Sequence, residues 1–153
     1  MKGSWFVAIL GDQRYALPAA QITEVVRAVR LARVPQAPAA LLGALLFRGH
    51  PLPVVDIRAR LGAKARPLSP DDYLLIGVVG DRRGAIVAEE VVGLTLLDPT
   101  EGSLQDVPTP AYVLATVADA EGHSVVLLDL ERILSAPEAS EIAEAMRQLE
   151  DSP

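Results

Sequence analysis

Residues 43–62 read GALLFRGHPLPVVDIRARLG, and their mix of apolar runs, prolines and glycines sets the expectation for the whole chain. Leu45, Leu46 and Phe47 have the composition of a buried strand. Gly49 permits a backbone with positive φ, or the close approach of another chain segment. Pro51 and Pro53 have no N–H to give to a ladder, so they belong at a strand start, an edge or a bulge. Val54 and Val55 resume the strand. Asp56 is placed to cap a short helical pattern, Ile57 to Leu61, which Gly62 closes. An apolar run, an Arg-Gly pair, two prolines around Leu52, a second apolar strand and a capped helical pattern follow one another. Arg48 is the one cation amid these apolar residues, and its presence there asks for a reason.

Upstream, Trp5 to Leu10 and Tyr15 to Leu17 read as strands joined by the turn signal Gly11-Asp12-Gln13, and Pro18 ends the second. Ile22, Val25, Val26 and Val29 fall at helical spacing, yet Ile22 to Arg27 is also good strand material. The expectation is a helical turn near Ala19–Ile22, then strand from about Thr23. Val34 to Pro38 is a loop. Downstream, residues 63–72 form a connection and Tyr73 to Val79 a strand. Gly80 to Gly84 is a turn, and Ala85 to Val87 the returning strand. After Glu89-Glu90, Val91 to Leu97 is a strand kinked at Gly93. Asp98 to Pro110 is an irregular loop. Tyr112 to Val117 and Ser124 to Leu128 make a further hairpin, and Asp129 caps a helical pattern running to Leu134. Beyond Pro137, Ile142, Met146 and Leu149 mark an amphipathic helix, laid on the body or offered to a partner. Asp151 to Pro153 should fray.

Two of these pieces recur. Val54-Val55-Asp56-Ile57 through Leu61 resembles Leu127-Leu128-Asp129-Leu130 through Leu134, and Asp12 to Leu17 resembles Asp81 to Ile86. Two correspondences in the same order and at nearly one spacing argue for two similar half-structures. Many short strands at regular intervals indicate a mainly β fold, two small five-stranded barrels around a shared core. Apolar runs such as Leu74 to Val79 should lie in the core between them. The chain divides into 1–135, the two coupled barrels, and 136–153, the terminal helix and its frayed end.

Composition narrows the function. The chain has no cysteine and two histidines, which leaves no thiolate chemistry and little for a metal site. Its start lacks a signal-peptide pattern and no apolar run reaches membrane-helix length, so the expectation is a cytoplasmic protein without membrane insertion. The net charge of −6 is unevenly spread: residues 1–70 hold ten Lys/Arg against three Asp/Glu, and residues 71–153 hold four against seventeen. The arginines are scattered and few aromatics accompany them, which argues against nucleic-acid binding. Halves that attract each other, or charged partners, fit the asymmetry better.

No catalytic constellation emerges. Asp71-Asp72 and Glu89-Glu90 are neighbours that point to opposite faces of a strand, and they read as solvated pairs. His50 is a possible partner contact, and His123 lies in a hairpin turn. No serine sits in a nucleophile elbow, and Gly80 to Gly84 lacks the Lys-Ser/Thr ending of a phosphate loop. Asp56 and Asp129 have capping roles. No enzyme activity and no cofactor is expected.

Over residues 5–135 the chain resembles CheW, the adaptor family of bacterial chemosensory arrays. The resemblance rests on Gln13-Arg-Tyr-Ala-Leu-Pro18, Gln21-Ile-Thr-Glu-Val25, Val34-Pro-Gln-Ala-Pro38, Gly43 through Arg48-Gly49, Pro53-Val-Val-Asp-Ile-Arg58, Ala88-Glu-Glu-Val-Val-Gly93 and Leu127-Leu-Asp-Leu-Glu131. It implies two SH3-like barrels and a non-enzymatic role. A relative of this kind links the hairpin tip of a methyl-accepting chemoreceptor to the regulatory domain of a CheA-type histidine kinase. A barrel end meets the kinase, and a groove between barrels takes a receptor helix, a helix-in-groove mode that needs an apolar trough with a charged rim. Ile22, Val25, Val26, Val87 and Val91 are candidates for that trough, or for the core. Arg48 and Gly49 match the family's functional Arg-Gly pair. Arg48 suits a rim, since a guanidinium holds carboxylates or helix-end carbonyls; the lesser alternative is a structural bridge between loops.

Three positions depart from the family pattern. Leu46 stands where asparagine is common, Glu89 where aspartate is usual and Ala115 where glycine is frequent. The first removes hydrogen-bonding capacity beside Arg48 and suggests a specialised module that binds only the receptor or another regulator. A small ligand-binding barrel is a further alternative, which a pocket with converging polar groups would favour.

Overall fold

The computed structural model describes residues 2–35, 41–57, 67–102, 112–134 and 144–148. Ten strands are present: β1 Gly3–Leu10, β2 Gln13–Pro18, β3 Ile22–Arg27, β4 Leu41–Phe47, β5 His50–Val55, β6 Tyr73–Val79, β7 Arg82–Ala88, β8 Glu90–Leu97, β9 Val113–Ala118 and β10 Ser124–Leu128. They form two five-stranded sheets, ordered β8-β1-β2-β10-β9 and β3-β6-β7-β5-β4. Each sheet is one SH3-like barrel; the first holds β1, β2 and β8 to β10, the second β3 to β7. A 3-10 turn, Ala19–Gln21, leads into β3, as the spacing near Pro18 suggested. Helix α1, Leu130–Leu134, starts beside Asp129, whose carboxylate accepts the Arg132 N–H at 3.2 Å.

The internal repeat has a structural counterpart. Advancing every strand by five, cyclically, turns one sheet order into the other. Each barrel also has one parallel pair at equivalent places, Val54 opposite Ala85 and Leu127 opposite Ala16. The barrels do not coincide with the halves of the chain. Hairpin β6–β7 from the second half completes the barrel of β3 to β5, and hairpin β1–β2 from the first half completes that of β8 to β10. The charge follows this exchange. Residues 19–88 carry ten Lys/Arg against five Asp/Glu, whereas 1–18 with 89–134 carry three against ten. One barrel is therefore basic, the other acidic.

Three apolar clusters follow from strand alternation. Trp5, Val7, Ala16, Leu97, Val125 and Leu127 fill the first barrel. Leu45, Leu52, Val54, Leu74, Ile76 and Val87 fill the second. Leu10, Tyr15, Leu17, Leu75, Ile86 and Leu128, with Leu130 and Ile133 of α1, form the core the barrels share. β6 is apolar on both faces because it serves two cores, Leu75 facing the shared one and Leu74 and Ile76 the barrel interior.

The organising stretch forms the hairpin β4–β5. Both prolines lie within β5, Pro51 opposite Leu46 and Pro53 opposite Ala44. Pairing with β7 begins only at Val54, so neither proline is asked for a hydrogen bond on that side. The proposed helix after Asp56 lies outside the described residues beyond Ile57, as do most of the 98–110 loop and the ends of the terminal helix.

Both barrels close across their open edges. In the second, the chain beyond β3 curls over β4, and Ala32 and Ala44 exchange backbone hydrogen bonds of 2.8 and 2.9 Å. Gly43 is required at this crossing, because a Cβ there would lie 2.8 Å from the Ala32 carbonyl oxygen. In the first, the chain leaves β8 through the 3-10 turn Pro99–Glu101, capped by the Asp98 carboxylate, and lays Gly102 on β9. A Cβ at Gly102 would sit 2.7 Å from that of Ala115, which shows what the unusual Ala115 fills. Gly102→Ala should therefore destabilise the protein by about 1–3 kcal/mol through overpacking, read by denaturant titration. Adding Ala115→Gly should recover only part of the loss, since Val117 Cγ1 at 2.8 Å and the Thr116 carbonyl oxygen at 3.0 Å crowd the same position.

Two acidic residues that the sequence places in solvent are anchors instead. Asp72 is 1% exposed and accepts the Ser69 N–H at 2.8 Å, while its carbonyl oxygen accepts the Ala28 N–H. Glu89 is half-buried and accepts the Gly11 N–H at 2.8 Å across the β1–β2 turn. Their neighbours Asp71 and Glu90 are exposed. Neither pair lies within a strand, so alternation is not what separates them: Asp71 and Asp72 precede β6, and Glu89 is the bend between β7 and β8. In each pair one member turns to a backbone donor rather than to water.

Candidate functional site: the Arg48 turn and the fringe of the shared core

Phe47 pairs with His50, leaving Arg48 and Gly49 as a two-residue loop. Their φ values are 51° and 82°, the mark of a type I′ turn, whose twist matches that of the flanking strands. Gly49 adopts such a backbone freely, as expected. Arg48 is the one described non-glycine residue with positive φ, and holding it there costs of the order of 1–3 kcal/mol.

The side chain recovers part of that cost. Arg48 donates to the Glu24 carboxylate at 3.2 Å, and its guanidinium lies 4.8 Å from the centre of the Phe47 ring. With the two side chains 77% and 38% exposed, such a pair contributes roughly 0.2–1 kcal/mol, and an exposed cation–π contact about 0.5–1 kcal/mol. These gains offset the backbone strain without clearly exceeding it, so stability alone does not account for arginine at this turn. The ion pair has a structural consequence nonetheless. β3 and β4 are the open edges of the second sheet, and Arg48 joins them at the turn end.

The remaining candidates separate into two groups. Ile22 and Val25 of β3 and Val91 of β8 are half-buried and pack on the shared core, as does Phe6 of β1. β3 and β8 are equivalent edge strands of the two barrels, so these residues form an apolar fringe where the barrels meet. Val26 turns the other way and packs partly on the interior of the second barrel. Val87 is 1% exposed inside that barrel and offers no surface to a partner. Its neighbour Ile86 is the one that faces the shared core, because adjacent strand residues face opposite sides.

Three contributors escape sequence reading. Glu24 is the partner of Arg48. Phe6 lies on the fringe, and Leu94, opposite Phe6 on β8, is 71% exposed. Val92, Leu94 and Leu96 together give β8 an exposed apolar face, and their even spacing was the signal available. Gly93, at φ 110°, sits beside the register shift that bends this edge. Beneath the fringe, Tyr15 is pushed above the ordinary phenol range by burial and then by the neighbouring Tyr112, so it stays neutral.

A groove of about 610 Å³ on the second barrel is lined by Ala28, Val29, Arg30, Leu42 and Leu68 among others, and among the described residues its polar side chains are Arg30 and Ser69. Among the described residues no group of three or more His, Cys, Asp or Glu could hold a metal ion, and no helix is long and apolar enough to cross a membrane.

Two fused barrels with an apolar fringe at their junction and a strained, projecting arginine define a protein-docking module. The CheW-like domain family matches residues 4–138, and the chain belongs to that family of chemotaxis adaptors. It is 28% identical over 131 residues to the chemotaxis protein CheW of Helicobacter pylori, covering 82% of this chain and 78% of that protein. It is 29% identical over 147 residues to protein FrzA of Myxococcus xanthus, covering 91% and 89%. The crystal structure of the scaffolding protein TtCheW from Thermoanaerobacter tengcongensis superposes with a TM-score of 0.77 over 90% of this chain and 95% of that one, at 21% identity.

Proposed function

We propose that this protein is a non-enzymatic, cytoplasmic adaptor that couples the hairpin tip of a chemoreceptor to the regulatory domain of a CheA-type histidine kinase. Residues 1–135 act as the docking unit. The observation that carries the reading is Arg48, held in a left-handed backbone at an exposed turn tip where its own contacts only balance the strain. Strain kept without a stability gain points to a binding role. Ile22, Val25 and Val91, with Phe6 and Leu94, supply the apolar surface for a receptor helix, and Arg48 with Gly49 supplies the polar edge. Val26 and Val87 support these strands from within.

Leu46 is 70% exposed on the outer face of β4, next to the turn. Leucine in place of the family's asparagine enlarges the apolar surface beside Arg48, which suits a partner with an apolar residue at the matching position.

The test is isothermal titration of the purified full chain with a receptor hairpin fragment and, separately, with the kinase regulatory domain. Saturable one-to-one binding of both, simultaneous in a ternary mixture, is the expected result. Failure to bind either fragment from the same organism sinks the proposal.

A further inference from the structure

Residues 144–148 form a helical segment whose Ala145 and Met146 are buried against Val34, Leu41 and Ala44. They are 5% and 9% exposed, so this part of the tail packs on the body. The seat is the outer face of β4, since Leu45 points into the barrel and Ala44 away from it. Ala44 is also the residue that clasps Ala32 through both its N–H and its C=O. The helical segment thus lies over the backbone clasp that closes the second barrel.

The same strand runs on from Ala44 to the Arg48 turn, four residues or about 13 Å of extended chain away. The barrel seam therefore has two fastenings, Ala32–Ala44 under the tail and Glu24–Arg48 at the turn. β4 is an edge strand, with β5 as its only full-length neighbour in the sheet. Its position on the open side depends on these two points. The tail and the barrel that carries it have opposite net charge: residues 135–153 hold one Arg and five Asp/Glu, whereas the barrel residues 19–88 are net basic.

We propose that the C-terminal helix is a positioning brace for the Arg48 turn: Ala145 and Met146, seated on Ala44, Leu41 and Val34, hold β4 against the 31–34 segment and so keep Arg48 beside Glu24. Its functional meaning rests on the adaptor reading above, because it lets the state of the tail set how firmly the binding arginine is presented. Leu46, on the same outward face as Ala44, lies between the brace and the turn and would feel both.

The test is hydrogen exchange read amide by amide in the full chain, together with the Nε–H resonance of Arg48, for the parent, Met146→Glu and the milder Met146→Ala. Exchange at Ala32 and Ala44 should quicken about tenfold or more, the Arg48 resonance should move, and amides in the first barrel such as Val7 and Ala16 should keep their parent rates. Met146→Leu should restore parent behaviour. Parent rates at Ala44 with an unmoved Arg48 signal in both variants would overturn the brace. So would equal loss of protection in both barrels, which marks Met146 as an ordinary packing residue. No partner takes part in this measurement, so its failure leaves the adaptor reading intact, whereas a parent protein that binds no receptor fragment sinks that reading and leaves the brace standing.

Discussion

Arg48→Asn should weaken binding of the receptor hairpin by about thirtyfold, a loss of about 2 kcal/mol typical of a binding hot spot, while folding stability stays within about 1 kcal/mol of the parent. The two halves of this expectation have separate causes. Asparagine tolerates the left-handed backbone that Arg48 occupies at φ 51°, and an Asn-Gly pair is the favoured sequence for a type I′ loop. The substitution therefore keeps the turn and relieves the strain. It also removes the Glu24 contact and the stacking on Phe47, each exposed and each contributing no more than about 1 kcal/mol. What disappears without compensation is the projecting guanidinium. Parent-like affinity in a variant whose melting curve is also parent-like would show that Arg48 is only a fastening of the barrel seam.

A second large effect lies between the barrels. Leu130 is 1% exposed in the shared core, and its Cδ2 occupies the space that a Cβ at Gly77 would need, at 2.6 Å. Leu130→Ala should cost about 2–5 kcal/mol, a large share of the roughly 5–15 kcal/mol that holds a domain together. Gly77→Ala alone should cost about 1–3 kcal/mol through overpacking. The double variant should be less destabilised than the two added together, since the new methyl group enters the space that the leucine vacates. Recovery will be partial, because the Gln21 carbonyl oxygen stands 3.3 Å from the same Cβ position and cannot rotate away as a side chain can. Strict additivity in urea unfolding would mean that the two positions relax independently and that the shared core is looser than its packing implies.

The strands were readable because their period and their turn residues agree at each hairpin. Even the ambiguous stretch after Pro18 resolved as expected, a 3-10 turn followed by β3. The partnership of the strands was not readable. Similarity between Val54–Leu61 and Leu127–Leu134 reveals that two segments are alike, but it carries no information about which hairpin each will lie beside. The site was legible in part for the same reason. Arg48 stood out chemically, whereas its partner Glu24 is one carboxylate in a strand far away in sequence, and only the curl of the barrel brings them together. Val87 and Ile86 are equally apolar and β-branched, so nothing local states which faces the shared core and which the barrel interior.

The exchange of hairpins between the barrels also bears on how the chain is made. During synthesis, every strand of the basic barrel has been produced by Ala88, and that unit can close while the rest is still being added. Hairpin β1–β2 is made before the strands that will house it: its neighbours β8 and β10 come later, and β10 ends at Leu128. Until then Trp5, Val7 and Ala16 have no interior to enter. The growing chain thus passes through a stage in which one barrel is finished and hairpin β1–β2 waits, an interval in which another copy's hairpin could take the vacant place beside β8 and tie two molecules together.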